Sequence, residues 1–375
     1  MIIKNTLPAY TVAEIHLDHL LCNLEQIRHR VAPADVMTVV KANAYGHGAV
    51  PVSRKLVQAG VKYLAVARVA EARELRQAGI SQPILIFGRL FPDELEIAVR
   101  LDAAVTVTDE RDLDLLSAVA RRTGQTVNVH LNIDTGMGRV GVRYEQAVQL
   151  IHRLDGLPGV ALKGIYTHFA TADEKDKSFA YQQIERFRSV IGQSLAGLSE
   201  RPLIHAANSG AILDLPEAGF DLVRAGIALY GHYPTTETTE SIALKQVMTL
   251  KTKIGLLRRL PANTPISYGR RYYTTRETTI AVLPIGYADG IPRSFTNHGQ
   301  VMIRGGLYPV AGTITMDQIM IDVGDDPVRE GDDVIFWGDT ADGRLQCTQV
   351  AAVIGTIPYE LCCGVSARVP RIYVD

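Results

Sequence analysis

Cysteine is scarce in this sequence: Cys22, Cys347, Cys362 and Cys363 are the only four in 375 residues, and no CxxC spacing occurs. Adjacent Cys362 and Cys363 are poorly placed to pair with each other, so neither a disulfide framework nor a zinc or other metal site is indicated. No segment approaches the roughly 20 consecutive apolar residues that a membrane span needs. The stretch MIIKNTLPAYTVAE lacks the apolar core of a signal peptide. With 39 basic and 40 acidic residues the net charge is −1, so no excess of either sign points to a nucleic-acid or membrane-surface partner. These absences leave a soluble protein of a reducing compartment, the cytoplasm, as the expectation. The glycine-rich phosphate loop that a dinucleotide-binding sheet places after its first strand is missing as well.

What is present is apolar and rhythmic. The chain is 47% hydrophobic and long enough for two domains. Short apolar runs recur at Val36–Val40, Tyr63–Ala67, Pro83–Phe87, Ala104–Val107, Val127–Ile133, Leu162–Thr167, Leu203–Ala207 and Leu222–Ala225. Amphipathic helical stretches lie between them, among them PVSRKLVQAG, AEARELRQAG, ERDLDLLSAVARRTG and YQQIERFRSVIGQSL, several closing on a glycine. Strands alternating with helices in this way predict an α/β fold, a (β/α)8 TIM-type barrel over residues 1–240. A doubly wound sheet is the alternative. From residue 241 to 375 strand-like runs with turn signals take over, which reads as a β-rich C-terminal domain with one helix at Cys347–Thr356. The early stretch Ala13–Leu17 is a candidate to pair with that domain.

In such a barrel the reactive groups gather at the C-terminal ends of the strands. The first run delivers Lys41 to its tip, followed by a loop, Asn43 to Gly48, able to approach a ligand closely. A lysine amine there suits Schiff-base chemistry, and the plainer reading is an ordinary solvated charge. The other strand ends carry IDTGMGR (Asp134 to Arg139), His168, Asn208-Ser209 and Arg224-Ala225-Gly226-Ile227. Asn208-Ser209-Gly210 and Ala225-Gly226-Ile227 offer N–H groups and a hydroxyl where a helix begins, which is phosphate-binding chemistry. An amine, a phosphate cradle and the flat ring of His168 together fit pyridoxal 5′-phosphate.

The motif VVKANAYGHGA resembles the cofactor-lysine signature of the alanine racemases, a fold-type-III pyridoxal-phosphate family. The resemblance continues through DTGMGRVG, THFATAD, ANSGA, VRAGIALYG, ISYGRRY, PIGYADG, GTITMDQ and PYELCC, in that order and over nearly the whole chain. It implies interconversion of L- and D-alanine, supplying D-alanine for peptidoglycan, by a head-to-tail homodimer with shared active sites. Lys41 then resembles the Schiff-base lysine and the base on one face of the substrate Cα. Tyr268 resembles the base on the other face, contributed by the neighbouring subunit. Tyr45, Ser209, Gly226, Ile227 and Tyr359 resemble phosphate contacts, with Asn208 close by. His168 resembles the link between Tyr268 and Arg224, and Arg224 the partner of the cofactor's ring nitrogen. Arg139 and the Met316 N–H resemble the groups that hold the substrate carboxylate, and Tyr287, Arg293 and Ile357 fall where the family lines its substrate corridor.

Two departures stand out. Many relatives carry a carbamylated lysine at the position of Asn132, where it orients the arginine; asparagine is neutral, and a bound anion such as chloride shared with Arg139 is the expected substitute. The corridor arginine is replaced by Thr313. Tyr166 and Tyr287 have the competing reading of core aromatics, Cys362 and Cys363 read as packing residues, and Glu71 and Glu94 as solvated helix charges. Three rival functions share the scaffold. One is a serine or broad-specificity racemase, one a cofactor-carrying protein without turnover, and one a basic-amino-acid decarboxylase. Tyr268 has no purpose in the second, and the third usually pairs the ring nitrogen with a carboxylate.

Overall fold

A strand buried on both faces needs apolar side chains at consecutive positions, and the eight runs supply them. In the computed structural model, which describes residues 9–340 and 343–375, they form Asp35–Val39, Tyr63–Val66, Ile84–Ile86, Ala103–Val107, Val127–Asp134, Val160–Thr167, Leu203–His205 and Leu222–Ala225. The first eight residues of the stretch read for a signal peptide lie outside the described residues. Each strand pairs in parallel with the next, and the last pairs back onto the first with Val223 opposite Val36. That closure makes an eight-stranded parallel barrel. It excludes the doubly wound alternative, whose sheet stays open.

The intervening helices lie where their apolar periodicity puts them. Ser178–Ser194 buries Ala180, Ile184, Phe187 and Ile191, one stripe at three- and four-residue spacing. Asp112–Thr123 carries Asp112 and Asp114 in its first turn and Arg121 and Arg122 in its last, both favourable to the helix dipole. It stops on Gly124 at φ 65°, a backbone that glycine adopts without penalty.

Contacts divide the chain into two units. The barrel unit comprises Leu21–Leu229 with Tyr233–Leu244; the other comprises the residues up to Leu20, Tyr230–His232 and Lys245–Asp375. The second unit is built on a six-stranded sheet in which Val12–His16 lies between Met248–Lys253, antiparallel, and Arg371–Val374, parallel. A three-stranded sheet of Leu256–Leu260, Thr278–Leu283 and Ile319–Gly324 adds to it, with Ile266, Ile280 and Ala311 forming a small buried cluster. The helices Cys347–Val353 and Pro358–Gly364 follow. No helix among the described residues is long and apolar enough to cross a membrane.

Inside the barrel, space is tight enough to dictate glycine. Gly164 faces His130 across neighbouring strands, and a Cβ on it would stand 2.2 Å from the His130 ring. A 2.9 Å hydrogen bond between its Nδ1 and His205 Nε2 resists displacement of the ring. Gly164→Ala should therefore destabilise the barrel by about 1–3 kcal/mol, the usual cost of overpacking. Thermal and denaturant unfolding of the variant measure it; an unchanged midpoint would mean that the ring moves aside freely.

Candidate active site

The first barrel strand ends at Val39, and the chain then turns on itself through Lys41 in an uncommon way. Ala42, Asn43, Ala44 and Tyr45 all have φ between 52° and 55°, one turn of left-handed helix made from residues other than glycine. Such a backbone costs roughly 1–2 kcal/mol per residue, so it persists only where its surroundings hold it. Glu71, on the helix Val69–Gln77, accepts from the Ala42 N–H at 2.6 Å through Oε1 and from the N–H groups of Ala67 and Arg68 at 2.7 and 2.9 Å through Oε2. Asn43 Oδ1 accepts from Ala49 N at 2.8 Å. His47 Nδ1 lies 2.9 Å from Tyr45 O and 3.0 Å from Ala44 O, so its proton sits on Nδ1 and is shared between them. Glu71 is thus the anchor of the Lys41 turn; the sequence had assigned it to a solvated face.

The turn carries Tyr45 toward the far end of the barrel's strand order. A Cβ on Gly226 would lie 2.8 Å from Tyr45 Oη and 3.5 Å from Ser209 Oγ, so three groups of the expected phosphate cradle converge on a place only glycine leaves open. Ser209 Oγ accepts from the N–H groups of Gly226 at 3.1 Å and Ala228 at 3.2 Å. Asn208 caps the short helix Ser209–Asp214, its Oδ1 accepting from Ala211 N at 3.0 Å. Ile227 is fully buried beside them and opens a 3-10 turn. A cluster of N–H and O–H groups around a space a side chain would fill suits a phosphate.

Arg224, on the last strand, occupies the barrel interior. Its Nη2 donates its two hydrogens to Thr167 O at 2.8 Å and Ala206 O at 2.9 Å, with His168 Nδ1 at 3.3 Å sharing one of them; its Nη1 donates to His205 Nδ1 at 3.0 Å. The Nε–H makes no hydrogen bond among the described residues and remains available to an acceptor. No carboxylate pairs with this guanidinium among the described residues. Burial pulls its pKa down to about 10, which leaves it charged at neutral pH. Burial first, and the Arg224 charge second, hold His168 and His205 well below the ordinary imidazole value, so both are neutral. Tyr166 stacks on His205 with ring centroids 4.8 Å apart, reaches Thr106 Oγ1 at 3.1 Å, and has the Arg224 guanidinium 5.2 Å over its ring. It is the core aromatic the plainer reading described, and it also supports Arg224.

Arg139 stands exposed at the end of the loop DTGMGR, shaped by Asp134, which accepts from Gly136 N at 2.9 Å and Gly138 N at 3.1 Å. Arg139 and Lys41 both act on His168 electrostatically, which brings the three to one end of the barrel. Asn132, only 4% exposed, makes no side-chain hydrogen bond to Arg139. The Asn132 amide is not what holds Arg139.

The second unit holds the remaining expected residues. Tyr268 begins a 3-10 turn and is 75% exposed. Its backbone is fixed by a reciprocal pair: Thr313 Oγ1 donates to Tyr268 O at 2.8 Å, and Ser267 Oγ donates to Thr313 O at 2.7 Å. Thr313 is therefore a support of the Tyr268 turn, a role its place in the motif GTITMDQ does not announce. Met316, 52% exposed, accepts at its carbonyl from Ala288 N at 3.1 Å, and its own N–H meets no acceptor among the described residues. Tyr287 is 42% exposed, so the core reading fails for it. Tyr359 lies in the helix Pro358–Gly364, and Ile357 just before it is exposed. Cys362 is buried, 3.4 Å from His232 Nε2 and 3.8 Å from the Cys347 sulfur, as a packing residue would be; Cys363 is exposed.

Sequence reasoning missed Glu71, His130 and His205. The last two interrupt apolar runs at inward positions, in VNVHLNID and LIHAAN, and a polar residue inside a buried strand was the signal that could have found them.

Comparison with known proteins gives the same reading across the whole chain. The Alanine racemase N-terminal domain family matches residues 15–234, and the Alanine racemase C-terminal domain family matches residues 247–373. An alanine racemase of Halothermothrix orenii is 43% identical over 365 residues, covering 97% of this chain and 96% of its own. The crystal structure of alanine racemase from the D-cycloserine producer Streptomyces lavendulae superposes with a TM-score of 0.93 at 37% identity, over 98% of each chain. That of Bacillus anthracis, with bound L-Ala-P, gives 0.89 at 35% identity over 98% of this chain and 96% of its own. The chain belongs to the alanine racemase family.

Proposed function

We propose that this chain interconverts L- and D-alanine using pyridoxal 5′-phosphate, with Lys41 and Tyr268 as the two bases. The observation that carries the proposal is Arg224: a buried, always-donating cation with no carboxylate partner among the described residues, at the same end of the barrel as Lys41 and the Ser209–Gly226 cradle. These residues fit the cofactor. Lys41 would hold it covalently, Tyr45, Ser209, Gly226, Ile227 and Tyr359 would hold its phosphate with Asn208 behind them, and His168 would lie against its ring. When bound, it supplies an electron sink conjugated to the substrate Cα.

The protein's own groups then divide the work. Arg224 can only donate, so a ring nitrogen beside it must accept and stay unprotonated. That weakens the electron sink and disfavours reactions other than proton exchange, which suits a racemase better than a decarboxylase. Arg224 also fixes the His168 tautomer. Because Nδ1 accepts from Arg224, the imidazole proton sits on Nε2, ready to donate to a phenolate. A free tyrosine has a pKa of about 10, so a donor of this kind is what lets Tyr268 act as a base. One base takes the α-proton from one face and the other delivers its own proton to the opposite face, which inverts the centre without either base travelling. Arg139 and the Met316 N–H would hold the carboxylate, and an anion beside Asn132 would replace the missing negative charge behind Arg139.

The high exposure of Tyr268 on a turn that its own unit holds rigidly supports a role toward a second subunit, in a head-to-tail homodimer with shared sites. D-alanine supply for peptidoglycan and a cytoplasmic location follow from the same reading.

Purified protein given L-alanine and L-serine side by side should racemise alanine preferentially, and Lys41→Ala should lose both this activity and the yellow absorbance. Bound, coloured cofactor in that variant would assign the covalent lysine elsewhere.

Tyr268→Phe should keep the cofactor and lose α-proton exchange with solvent deuterium from one enantiomer much more than from the other. Mixed with Lys41→Ala under subunit exchange, it should regain activity, because some heterodimers hold one intact site. Equal losses for both enantiomers overturn the two-base assignment, and no recovery after exchange returns Tyr268 to its own chain's site.

Glu71→Ala leaves the N–H groups of Ala42, Ala67 and Arg68 without their acceptor. We expect a stability loss of about 1–3 kcal/mol and a several-fold weaker cofactor affinity by absorbance titration. Unaltered affinity would show that Asn43 and His47 suffice to hold the turn.

A further inference from the structure

Arg139 is exposed, and its side chain makes no hydrogen bond or ion pair among the described residues. Where it stands is therefore set through its backbone, in the loop of residues 135–139. One face of the helix Ser178–Ser194 grips the start of that loop. Phe179, Gln183 and Arg186 follow one another at four- and three-residue spacing, so they share a face. Phe179 packs against Gly136, whose φ is 145° and on which a Cβ would stand 2.7 Å from the ring. Arg186 donates from Nη1 to Thr135 O at 2.8 Å. Its guanidinium lies 5.2 Å over the Tyr144 ring and 5.9 Å over that of Phe179.

Gln183 joins this grip to the next strand tip. Its amide is buried in a helix face whose neighbours, Ala180, Ile184 and Phe187, are apolar. An amide there costs free energy unless its polar atoms are met, and here they are. Both N–H groups of Nε2 are used, one on Thr135 Oγ1 and one on His168 O, each at 3.1 Å. Oε1 accepts from Ala170 N at 2.9 Å, which fixes the way the amide faces, since a turned amide would set one N–H against another. Thr135 Oγ1 also lies 2.7 Å from Thr167 Oγ1. The strands Val127–Asp134 and Val160–Thr167 pair as far as Ile133 opposite Thr167. Past that pair, the two threonine hydroxyls and the Gln183 amide join the chains.

One chain tip carries Arg139 and the other is His168. Asp134 passes the constraint along the first, accepting from Gly136 N and Gly138 N just ahead of Arg139. On the second, Arg224 reaches the His168 ring while Gln183 holds the His168 carbonyl. We propose that Gln183 is a positioning residue, which with Phe179 and Arg186 sets where Arg139 stands relative to His168 and so tunes the affinity for the substrate carboxylate. This rests on the reading of Arg139 as the group that holds that carboxylate. The phosphate cradle is built on other strand ends, at Ser209 and Gly226, so the loss of Gln183 separates carboxylate affinity from cofactor affinity.

Propionate, which is alanine without its amine, is the probe, measured as a competitive inhibitor of the holoenzyme. Arg139→Gln should abolish the inhibition, which locates the carboxylate. Gln183→Leu removes all three hydrogen bonds at similar volume, and Gln183→Glu keeps the acceptor for Ala170 N while losing both donors. Arg186→Met removes the separate hold on Thr135 O. Each of these three should raise the propionate inhibition constant and the KM for alanine about tenfold. Cofactor affinity should stay that of the parent, and kcat should fall less than KM rises. Unaltered inhibition in the folded variants overturns the proposal. So does an equal loss of cofactor affinity, which would mean that the barrel has merely loosened. Where a Gln183 variant does not fold, Arg186→Met decides. Racemase activity with propionate inhibition that survives Arg139→Gln overturns the assignment of Arg139, and the role of Gln183 with it, and leaves the two bases as proposed. A parent protein that does not racemise alanine overturns the proposed function and all that rests on it.

Discussion

A guanidinium buried in the barrel, with no carboxylate partner among the described residues, is the constraint from which most of the site follows. Removing an arginine from water costs several kcal/mol unless its donors are met. Here the carbonyls of Thr167 and Ala206 and the lone pairs of His168 and His205 meet most of them, and the Nε–H is left for an acceptor. A carboxylate would satisfy Arg224 more cheaply, but it would neutralise the charge that makes this arginine useful. Neutral acceptors leave a net positive charge in place. They also convert a charge into tautomer information, because each imidazole that accepts from Arg224 must carry its proton on the other nitrogen. His168 thereby presents a donor at one end of the barrel and, through His205, His130 presents one at the other. One arginine thus sets the tautomers of three buried imidazoles.

The same layer explains why residues remote from any reaction are restricted. Tyr166 stacks on His205 and sits under Arg224, so its ring is a spacer that fixes where the imidazole lies. Gly164 is glycine because His130 occupies the volume of its side chain, and Gly226 is glycine because Tyr45 and Ser209 converge on it. In each case the absent side chain marks the close approach of a polar group.

What could be read from the sequence follows from this arrangement. The eight strands were legible because burial on both faces forces consecutive apolar residues, and the strand tips were legible because a reactive side chain ending such a run is conspicuous. The interior polar layer was not, because His130 and His205 each interrupt an apolar run only once, and a single buried histidine is ordinarily just a satisfied core residue. The Lys41 turn was hidden for a different reason. KANAY has no glycine, and nothing local asks for positive φ; the conformation is imposed by Glu71, 29 residues away. Thr313 was equally opaque, since its contribution is a hydrogen bond to the Tyr268 carbonyl 45 residues distant.

The left-handed turn also has a mechanical consequence. Four residues at roughly 1–2 kcal/mol each store several kcal/mol directly after the lysine. A right-handed turn would be cheaper, but it would reverse the hand of the chain after Lys41 and so re-aim Tyr45 relative to the Gly226 cradle. The strain is tolerable because the restraints are charge-assisted or buried: a carboxylate on Ala42 N–H, the Asn43 amide on Ala49 N–H, and a buried imidazole proton shared by two carbonyls. Holding a covalent attachment point and a phosphate ligand on one rigid turn fixes their separation. A flexible glycine-rich loop would place the same two groups without fixing the distance between them, and proton transfer at a carbon centre is sensitive to misplacement of that order. The absence of glycine from KANAY is thus the cost of rigidity, and Glu71 is what makes that rigidity stable.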